Sequence, residues 1–356
     1  MKMKRILAVA LALAMGLSMI SCGQSTEREE TQPQQTEQVE QPAKTPEEKP
    51  AEKPTEKTKV NLAALSGPTA LGMLELLEQN EKGKAANDYQ VTLATAPDEV
   101  VAKVVSGELD IAAVPTNVAA TLYNKTQGGV QLAALNTMGV LYILEKGDSI
   151  QSMADLRGKT IYASGKGATP EYALNYILEQ NGLTPGKDVT IEWKSEHAEC
   201  VAALTSDEDG IAMLPQPFVA TAQAKNSDIR IALDLTEEWD AVQQDEANPS
   251  SLLTGVVIAR TEFIENRPEE LDAFLNSYGD SVKFVNENTE EAAELIGEYN
   301  IVPAAVAVKA LPYCNIVLIE STDMKEKLSG YLSVLFEQNP KSVGGQLPGD
   351  AFYYGV

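Results

Sequence analysis

Apolar and polar positions alternate along the chain in a way that predicts strands followed by helices. Residues 60–65 form a nearly continuous apolar run, which is typical of a buried strand. Leucines at helical spacing over 71–77 predict a helix that buries one face. Residues 89–95 and 111–114 are predicted as further strands, with a helix between them at 98–105. This succession predicts an α/β fold with parallel sheets covered on both faces.

The same succession of elements is encoded twice. Residues 99–121 reappear as residues 199–221, and Ile111 and Pro115 are among the positions that recur at their own number plus 100. A second set of strands and helices is therefore predicted over 160–224. Two units of one plan predict a two-lobed clamshell, in which each lobe is a Rossmann-like, mostly parallel sheet with helices on both faces and a cleft separates the lobes.

Apolar stretches outside the duplicated units predict how the lobes are joined. The stretches at 132–144, 229–235 and 255–260 are predicted as strands that cross between the lobes and hinge them. Residues 268–336 are predicted to be mostly helical, and the Gly- and Pro-containing tail at 339–354 is predicted to be an ordered arm. A chain of 356 residues is long enough for this plan.

The first residues have the composition of an export signal. Three basic residues precede an apolar run at 6–20 that is too short to span a bilayer comfortably. The run ends at Ser21-Cys22-Gly23, which resembles a bacterial lipoprotein cleavage box. The resemblance implies that residues 1–21 are removed and that Cys22 becomes a lipid-bearing N-terminus. The alternative is an ordinary or uncleaved signal that ends near Cys22.

The segment after the signal has the composition of a linker. Residues 23–59 contain no Phe, Trp or Tyr and consist largely of Glu, Gln, Pro, Thr and Lys. Such a segment buries too little apolar surface to offset the entropy of ordering, so residues 22–59 are predicted to be a disordered, lipidated tether. Signal and tether together predict an extracytoplasmic protein that is lipid-anchored to the bacterial cell membrane.

The net charge restricts the classes of partner, and the cysteine count predicts the state of the thiols. The chain carries 28 Lys and Arg against 52 Asp and Glu, a net charge of −24. Such a surface repels phosphate backbones and anionic lipid headgroups, so no nucleic-acid partner is predicted and the lipid anchor is the predicted membrane contact. Besides Cys22, the chain contains Cys200 and Cys314, which are predicted to be buried free thiols.

Four loops are candidates for ligand binding, because ligands of open α/β sheets bind outside the carboxyl ends of the strands and beside helix N-termini. These loops combine Gly or helix-start N–H groups with hydroxyl or amide side chains, which suits an anionic or polar group. The predicted ligand-binding residues in them are Ser66, Gly67, Pro68, Thr69, Thr116, Asn117, Lys166, Gly167, Ala168, Thr169 and Gln216. For any single loop, plain helix capping is the alternative interpretation.

Aromatic residues add one more candidate. Trp193, at the end of a predicted strand, is predicted as a ligand-stacking residue, with core packing as the alternative. Together with Tyr142 it leaves room for an aromatic heterocycle as ligand. Trp239 lies in a segment with loop-like composition and is predicted to be a lid or a surface packing residue.

The sequence contains few residues or motifs of the kinds used in catalysis. His197 is the only histidine, and nothing in the sequence places a nucleophile beside it. Glu196, His197, Glu199 and Cys200 are zinc-type ligands, but they occupy one short segment without a second cluster elsewhere. The nucleophile-elbow, phosphate-loop and His-Glu-x-x-His motifs are absent from the sequence. The sequence therefore predicts no catalytic residues, no metal, no cofactor and no enzymatic activity.

Several motifs together resemble one family. The body of the chain is similar to the type II substrate-binding proteins of bacterial ABC importers, specifically the nitrate, sulfonate, taurine and thiamine-precursor group. The segments that carry the resemblance lie at 66–69, 107–117, 155–159, 167–172, 214–218 and 339–345. At Gln216 this chain departs from relatives, which often have Glu there. The resemblance implies that lobe 1 holds 60–143 and 256–356 and that lobe 2 holds 144–255.

The resemblance also implies a function. The protein is expected to be a monomer that captures a small anionic or polar organic molecule between its lobes and delivers it to an ABC permease and its ATPase. Sulfonates, nitrate, carboxylates and thiamine-precursor-like compounds are the expected ligand classes. A ligand-sensing receptor domain is the alternative, and an extracytoplasmic enzyme on the same fold is a further one.

Overall fold

The computed structural model describes residues 57–244 and 249–356. The predicted signal, the lipidation site at Cys22 and nearly all of the predicted tether lie outside the described residues. Within the described part, the chain forms the predicted α/β fold with two sheets. None of the helices in this part is both long and apolar enough to cross a membrane.

Eleven strands are present in the described residues. The strands at Ile111–Pro115 and Ile211–Pro215 are fully apolar and buried along their whole length, as expected for strands covered on both faces. The eleven strands are β1 Lys59–Leu65, β2 Asp88–Ala94, β3 Ile111–Pro115, β4 Val130–Met138, β5 Leu141–Lys146, β6 Thr160–Ser164, β7 Thr190–Lys194, β8 Ile211–Pro215, β9 Ile229–Asp234, β10 Leu253–Arg260 and β11 Ile316–Ile319.

Thirteen α-helices accompany these strands in the same described residues, most of them with one apolar face against a sheet. They are α1 Pro68–Leu71, α2 Leu74–Glu81, α3 Pro97–Val105, α4 Thr116–Lys125, α5 Thr169–Gln180, α6 His197–Ser206, α7 Phe218–Lys225, α8 Leu235–Gln243, α9 Thr261–Asn266, α10 Pro268–Glu287, α11 Thr289–Glu298, α12 Ala304–Ala310 and α13 Ser321–Gln338. Short 3-10 helices lie at Met153–Leu156, Leu311–Tyr313, Pro340–Val343 and Asp350–Phe352.

The two sheets repeat one strand order. The first runs β11-β4-β10-β3-β1-β2, and the second runs β9-β5-β8-β6-β7. In each sheet a single strand that arrives from the other lobe, β10 or β5, lies antiparallel between its two neighbours. Apart from β10 and the edge strand β11, the strands of the first sheet point one way, and β5 alone is reversed in the second. The predicted pair of mostly parallel, duplicated lobes is confirmed.

The crossing between the lobes differs in detail from the prediction. The apolar stretch at 132–144 is two strands, because the chain leaves the first sheet at Met138 and enters the second at Leu141. Gly139 lies at this break, where an added Cβ would sit 2.2 Å from the Thr236 hydroxyl oxygen. A single continuous strand was the wrong interpretation, because apolar character alone does not reveal where a strand changes sheets.

The core contains several residues whose environment corrects or confirms the sequence interpretation. Trp239 is not a lid residue: it is fully buried in α8, and its indole N–H donates to the Ser250 carbonyl at 2.9 Å. Its ring lies between those of Tyr176 and Tyr331, with centroids 4.7 and 5.1 Å away. Cys200 and Cys314 are buried free thiols, as predicted.

The tail forms the predicted ordered arm, here called the C-terminal arm (339–356). It packs against α4, where Asn124 donates from its amide to the Val343 and Gln346 carbonyls at 2.6 and 2.7 Å. Further along, the Tyr354 N–H donates to the Leu132 carbonyl at 2.9 Å and ties the arm to β4. The arm is therefore fixed to the lobe that contains the first sheet.

Candidate functional site

A cavity of about 390 Å³ lies in the cleft, at the carboxyl ends of strands from both sheets. The first sheet supplies the residues that follow β1, β2 and β3, and the second supplies those that follow β6, β7 and β8. The repeat therefore places equivalent loops on opposite walls. Pro97 and His197, equivalent positions at the starts of α3 and α6, both line the cavity.

Seven of the predicted ligand-binding residues line this cavity. They are Ser66, Gly67, Pro68 and Thr69 from the first lobe and Lys166, Gly167 and Ala168 from the second. Gly165 and Gly167 adopt positive φ angles of 82° and 78°, which glycine tolerates without a Cβ penalty and which let the loop turn closely around the cavity.

The other predicted residues lie behind the wall. Thr116 is buried and donates from its hydroxyl to the Leu253 carbonyl at 3.0 Å, and Gln216 accepts from the Ala220 N–H at 3.3 Å. Trp193 packs against the hydrophobic core, the alternative given for it above. The buried residues Asn117 and Thr169 contact each other across the cleft, 3.4 Å apart.

Side-chain capping accounts for two of the candidate loops. The Gln216 side chain accepts from an N–H group in the first turn of α7, and the Glu171 carboxylate accepts from the Gly167 N–H at 2.5 Å ahead of α5.

The helices that begin at Pro68 and Thr116 have no hydrogen bond from an N-cap side chain. The Thr69 hydroxyl donates instead to the Leu65 carbonyl at 3.4 Å. The starts of these two helices therefore keep the partial positive charge that attracts anions to helix N-termini.

The sequence missed the environment of His197. Its Nδ1 lies 2.7 Å from the Ser164 hydroxyl oxygen, so a potential nucleophile does stand beside it. The ring packs on Phe218 at 4.8 Å, and burial lowers the pKa of the imidazole to about 4. The pairing was hidden because the two residues lie on different elements, β6 and α6. The repeat did indicate that His197 lies at the cleft, because it makes His197 equivalent to Pro97 on the opposite wall.

Cys200 lies on the same helix as His197, and burial raises the pKa of its thiol to about 11, although Ser164 acts in the opposite direction. The thiol is therefore protonated at neutral pH. The roles of donor and acceptor in the Ser164–His197 pair depend on the imidazole tautomer, and the tautomer in which Nδ1 accepts from Ser164 carries its proton on Nε2. An imidazole with so low a pKa is a weak base at neutral pH, so this arrangement suits hydrogen-bond donation better than general-base chemistry.

Thr254 is a second wall residue without a sequence clue. It lies in β10, where the chain returns to the first sheet, and it lines the cavity. Its side chain is 7% exposed and its hydroxyl oxygen has no hydrogen-bond partner in the described structure. A buried unpartnered hydroxyl is costly, so a polar solute atom in the cavity is a suitable partner for it.

The charged groups of the wall are more basic than the chain as a whole. Lys125, Lys166 and Lys194 line the cavity, against the carboxylates of Asp98 and Glu196. Apolar and small side chains fill most of the rest, and none of the described Phe, Tyr and Trp side chains lines it. No group of three metal-type ligands is found among the described residues.

Two duplicated lobes that enclose a cavity with lysine and hydroxyl donors in its wall define the class of two-lobed solute-binding proteins. The model of one family, described as ABC transporter, phosphonate, periplasmic substrate-binding protein, matches residues 84–268. The chain belongs to this family and is a substrate-binding component of an ABC transporter that acts outside the cytoplasm. No curated protein matches the sequence.

Solved structures agree with this assignment at the level of fold. An ABC transporter protein from Parabacteroides distasonis is 23% identical with a TM-score of 0.68, and the match covers 83% of this chain and 98% of that one. The alkanesulfonate-binding protein SsuA from Xanthomonas axonopodis pv. citri, bound to MOPS, is 13% identical with a TM-score of 0.63 over 83% and 96%. The nitrate-binding protein NrtA from Synechocystis is 17% identical with a TM-score of 0.56 over 71% and 70%.

Proposed function

We propose that the solute bound by this protein is a small organic molecule that carries a phosphonate or sulfonate group on a short aliphatic remainder. The observation that carries the proposal is the composition of the cavity wall, with three lysines and several hydroxyls against two carboxylates on a strongly acidic chain. Oxyanions are stabilised by such donors and by helix N-termini. The family description and the sulfonate-binding structural relative support the same chemistry.

The His197 side chain supports an oxyanion in particular. In the tautomer whose Nδ1 accepts from Ser164, the Nε2–H group can donate into the cavity. Lys194, at the end of β7, lines the cavity while paired with Glu192, and the unpartnered Thr254 hydroxyl adds a further donor. Carboxylates and nitrate would use the same donors. A wall to which none of the described Phe, Tyr and Trp residues contributes makes a thiamine-precursor-like heterocycle a poorer match.

The remaining expectations belong to the same proposal. The protein would be a monomer, lipid-anchored to the bacterial cell membrane through Cys22 after removal of residues 1–21, with residues 22–59 as the tether. Lobe 1 would hold 60–143 and 256–356 and lobe 2 would hold 144–255. Closure of the lobes around the solute would present a face to the permease and its ATPase. The absence of catalytic residues remains a prediction.

Calorimetry with defined probes tests the ligand class. We expect ethylphosphonate or ethanesulfonate to bind and thiamine not to bind, and native mass spectrometry of the purified protein to detect a copurifying anion of this class. Lys194→Gln removes a charged donor and is expected to weaken binding by at least about tenfold. Lys187→Gln, an exposed position outside the cavity, serves as the matched control and should bind as the wild type does. Binding of thiamine alone, or an unchanged affinity in Lys194→Gln, would contradict the proposal.

A further inference from the structure

Asn117 uses every hydrogen-bonding group of its side chain, and two of the three bonds cross the cleft. One amide hydrogen is donated to the Ser342 carbonyl at 3.1 Å and the other to the Gly167 carbonyl at 3.2 Å. The amide oxygen faces the Thr169 hydroxyl at 3.4 Å. The residue is 1% exposed, so these bonds are shielded from water.

The partners of Asn117 belong to different lobes. Asn117 lies in the first turn of α4, which follows β3 of the first sheet, and Ser342 belongs to the C-terminal arm. Thr121 of the same helix also donates to the Ser342 carbonyl at 3.1 Å, so arm and helix form one unit. Gly167 lies in the β6–α5 connection of the second lobe, and Thr169 is the first residue of α5. Separation of the lobes would therefore break the bonds to Gly167 and Thr169 and keep the bond to Ser342.

We propose that Asn117 is a latch that holds the β6–α5 loop over the cavity in the closed protein. This inference rests on the proposed function as a cleft-closing solute receptor. The loop contributes Gly165, Lys166, Gly167 and Ala168 to the cavity wall, so the latch fixes one whole wall without contacting the solute itself. Asn117 is thus a positioning residue, and its effect on solute binding is expected mainly in the dissociation rate, because its bonds to the second lobe oppose reopening of the cleft.

The chemistry of the latch explains why an amide stands here. An aspartate has the same shape but no hydrogens to donate, so its carboxylate would face the Gly167 and Ser342 carbonyls with like partial charges. Asn117→Asp should therefore release the loop as Asn117→Ala does. Asn124 provides a matched control, because it also binds the C-terminal arm through its amide, at Val343 and Gln346, but makes no hydrogen bond to the described residues of the second lobe.

Hydrogen–deuterium exchange on the full chain without solute tests the latch. In Asn117→Ala, exchange of the peptide that covers 165–172 should rise several-fold, whereas in Asn124→Ala the rise should be confined to the C-terminal arm. Asn117→Asp repeats the test with a side chain of unchanged volume if the alanine variant unfolds. Equal exchange of the loop in wild type and both Asn117 variants, or an equal rise in Asn124→Ala, would overturn the proposal.

Stopped-flow measurements with ethylphosphonate add a second readout. We expect the dissociation rate of Asn117→Ala to rise by about 3- to 10-fold, the range for loss of one net hydrogen bond, with little change in the association rate. A loss confined to the association rate would overturn the latch. If the wild type binds no phosphonate or sulfonate, the proposed ligand class is wrong, and the exchange experiment decides the latch independently.

Discussion

Gly255 lies where the chain re-enters the first sheet, and its substitution by alanine should be among the most damaging single-methyl changes in the protein. An added Cβ would lie 2.5 Å from the Asn136 amide oxygen and 2.6 Å from Thr69 Cγ2. These neighbours are held in place, because the Asn136 amide donates to the Thr69 carbonyl at 3.0 Å. Thr137 closes the cluster by donating from its hydroxyl to Asn136 at 3.0 Å.

The magnitude follows from the tightness of these contacts. Overpacking of a well-packed interior costs about 1–3 kcal/mol, and the upper end applies here because a hydrogen-bonded cluster must move by several tenths of an ångström. We expect Gly255→Ala to lose about 3 kcal/mol in free energy of unfolding, or roughly 6 °C in melting temperature. Solute affinity should fall as well, since Thr69 belongs to the cavity wall.

Urea unfolding followed by circular dichroism measures the first effect, and calorimetry measures the second. Gly349→Ala is the control, because its Cβ would meet no atom within 4 Å and its φ of −84° is open to alanine. A Gly255→Ala protein within about 0.5 kcal/mol of the wild type would refute the reasoning, as would an equal loss in Gly349→Ala.

Three further outcomes are expected from unfolding experiments. Trp239→Ala should cost about 3–5 kcal/mol, because it removes a fully buried ring that packs between two tyrosines. Arg230→Met should cost about 2 kcal/mol at pH 7, since it leaves the buried Glu145 carboxylate without its cation. Burial raises the pKa of Glu145, but hydrogen bonds from Ile150, Ser149 and Arg230 outweigh it and hold the pKa below its ordinary value, so the difference from wild type should shrink in acid. His197 has its pKa lowered from 6.5 to about 4, so its contribution to stability should be lost as the pH falls from 6.5 toward 4, and His197→Gln should flatten that part of the profile.

The sequence was informative wherever one local pattern decides the structure. The recurrence of Ile111 and Pro115 at Ile211 and Pro215 predicted two equivalent strands. In the structure these residues are the first and last of β3 and of β8, one hundred residues apart. Glycine and hydroxyl residues at strand ends predicted the loops around the cavity, because ligand sites of such sheets depend on topology. Burial of the two cysteines followed from the ordinary behaviour of free thiols in a protein core.

Contacts between distant segments could not be predicted in this way. The Ser164–His197 pair joins two elements whose side chains meet only after the second sheet has formed. Asn117 was predicted from its place at a strand end, but its bonds to Gly167 and Ser342 could not be foreseen, because they depend on the positions of the second lobe and of the C-terminal arm. Trp239 was misplaced because its burial comes from helices α5 and α13, far away in the chain.

The positions of the reversed strands β5 and β10 in the chain determine the order in which the two sheets can be completed during synthesis. The second sheet consists of strands that are contiguous in the chain, from Leu141 to Asp234, and has all its members once that stretch has emerged. The first sheet lacks β10, which separates β3 from β4, until Arg260 has emerged. The lobe that begins first is therefore completed last, and a chain truncated before β10 leaves two strand edges open to unwanted pairing.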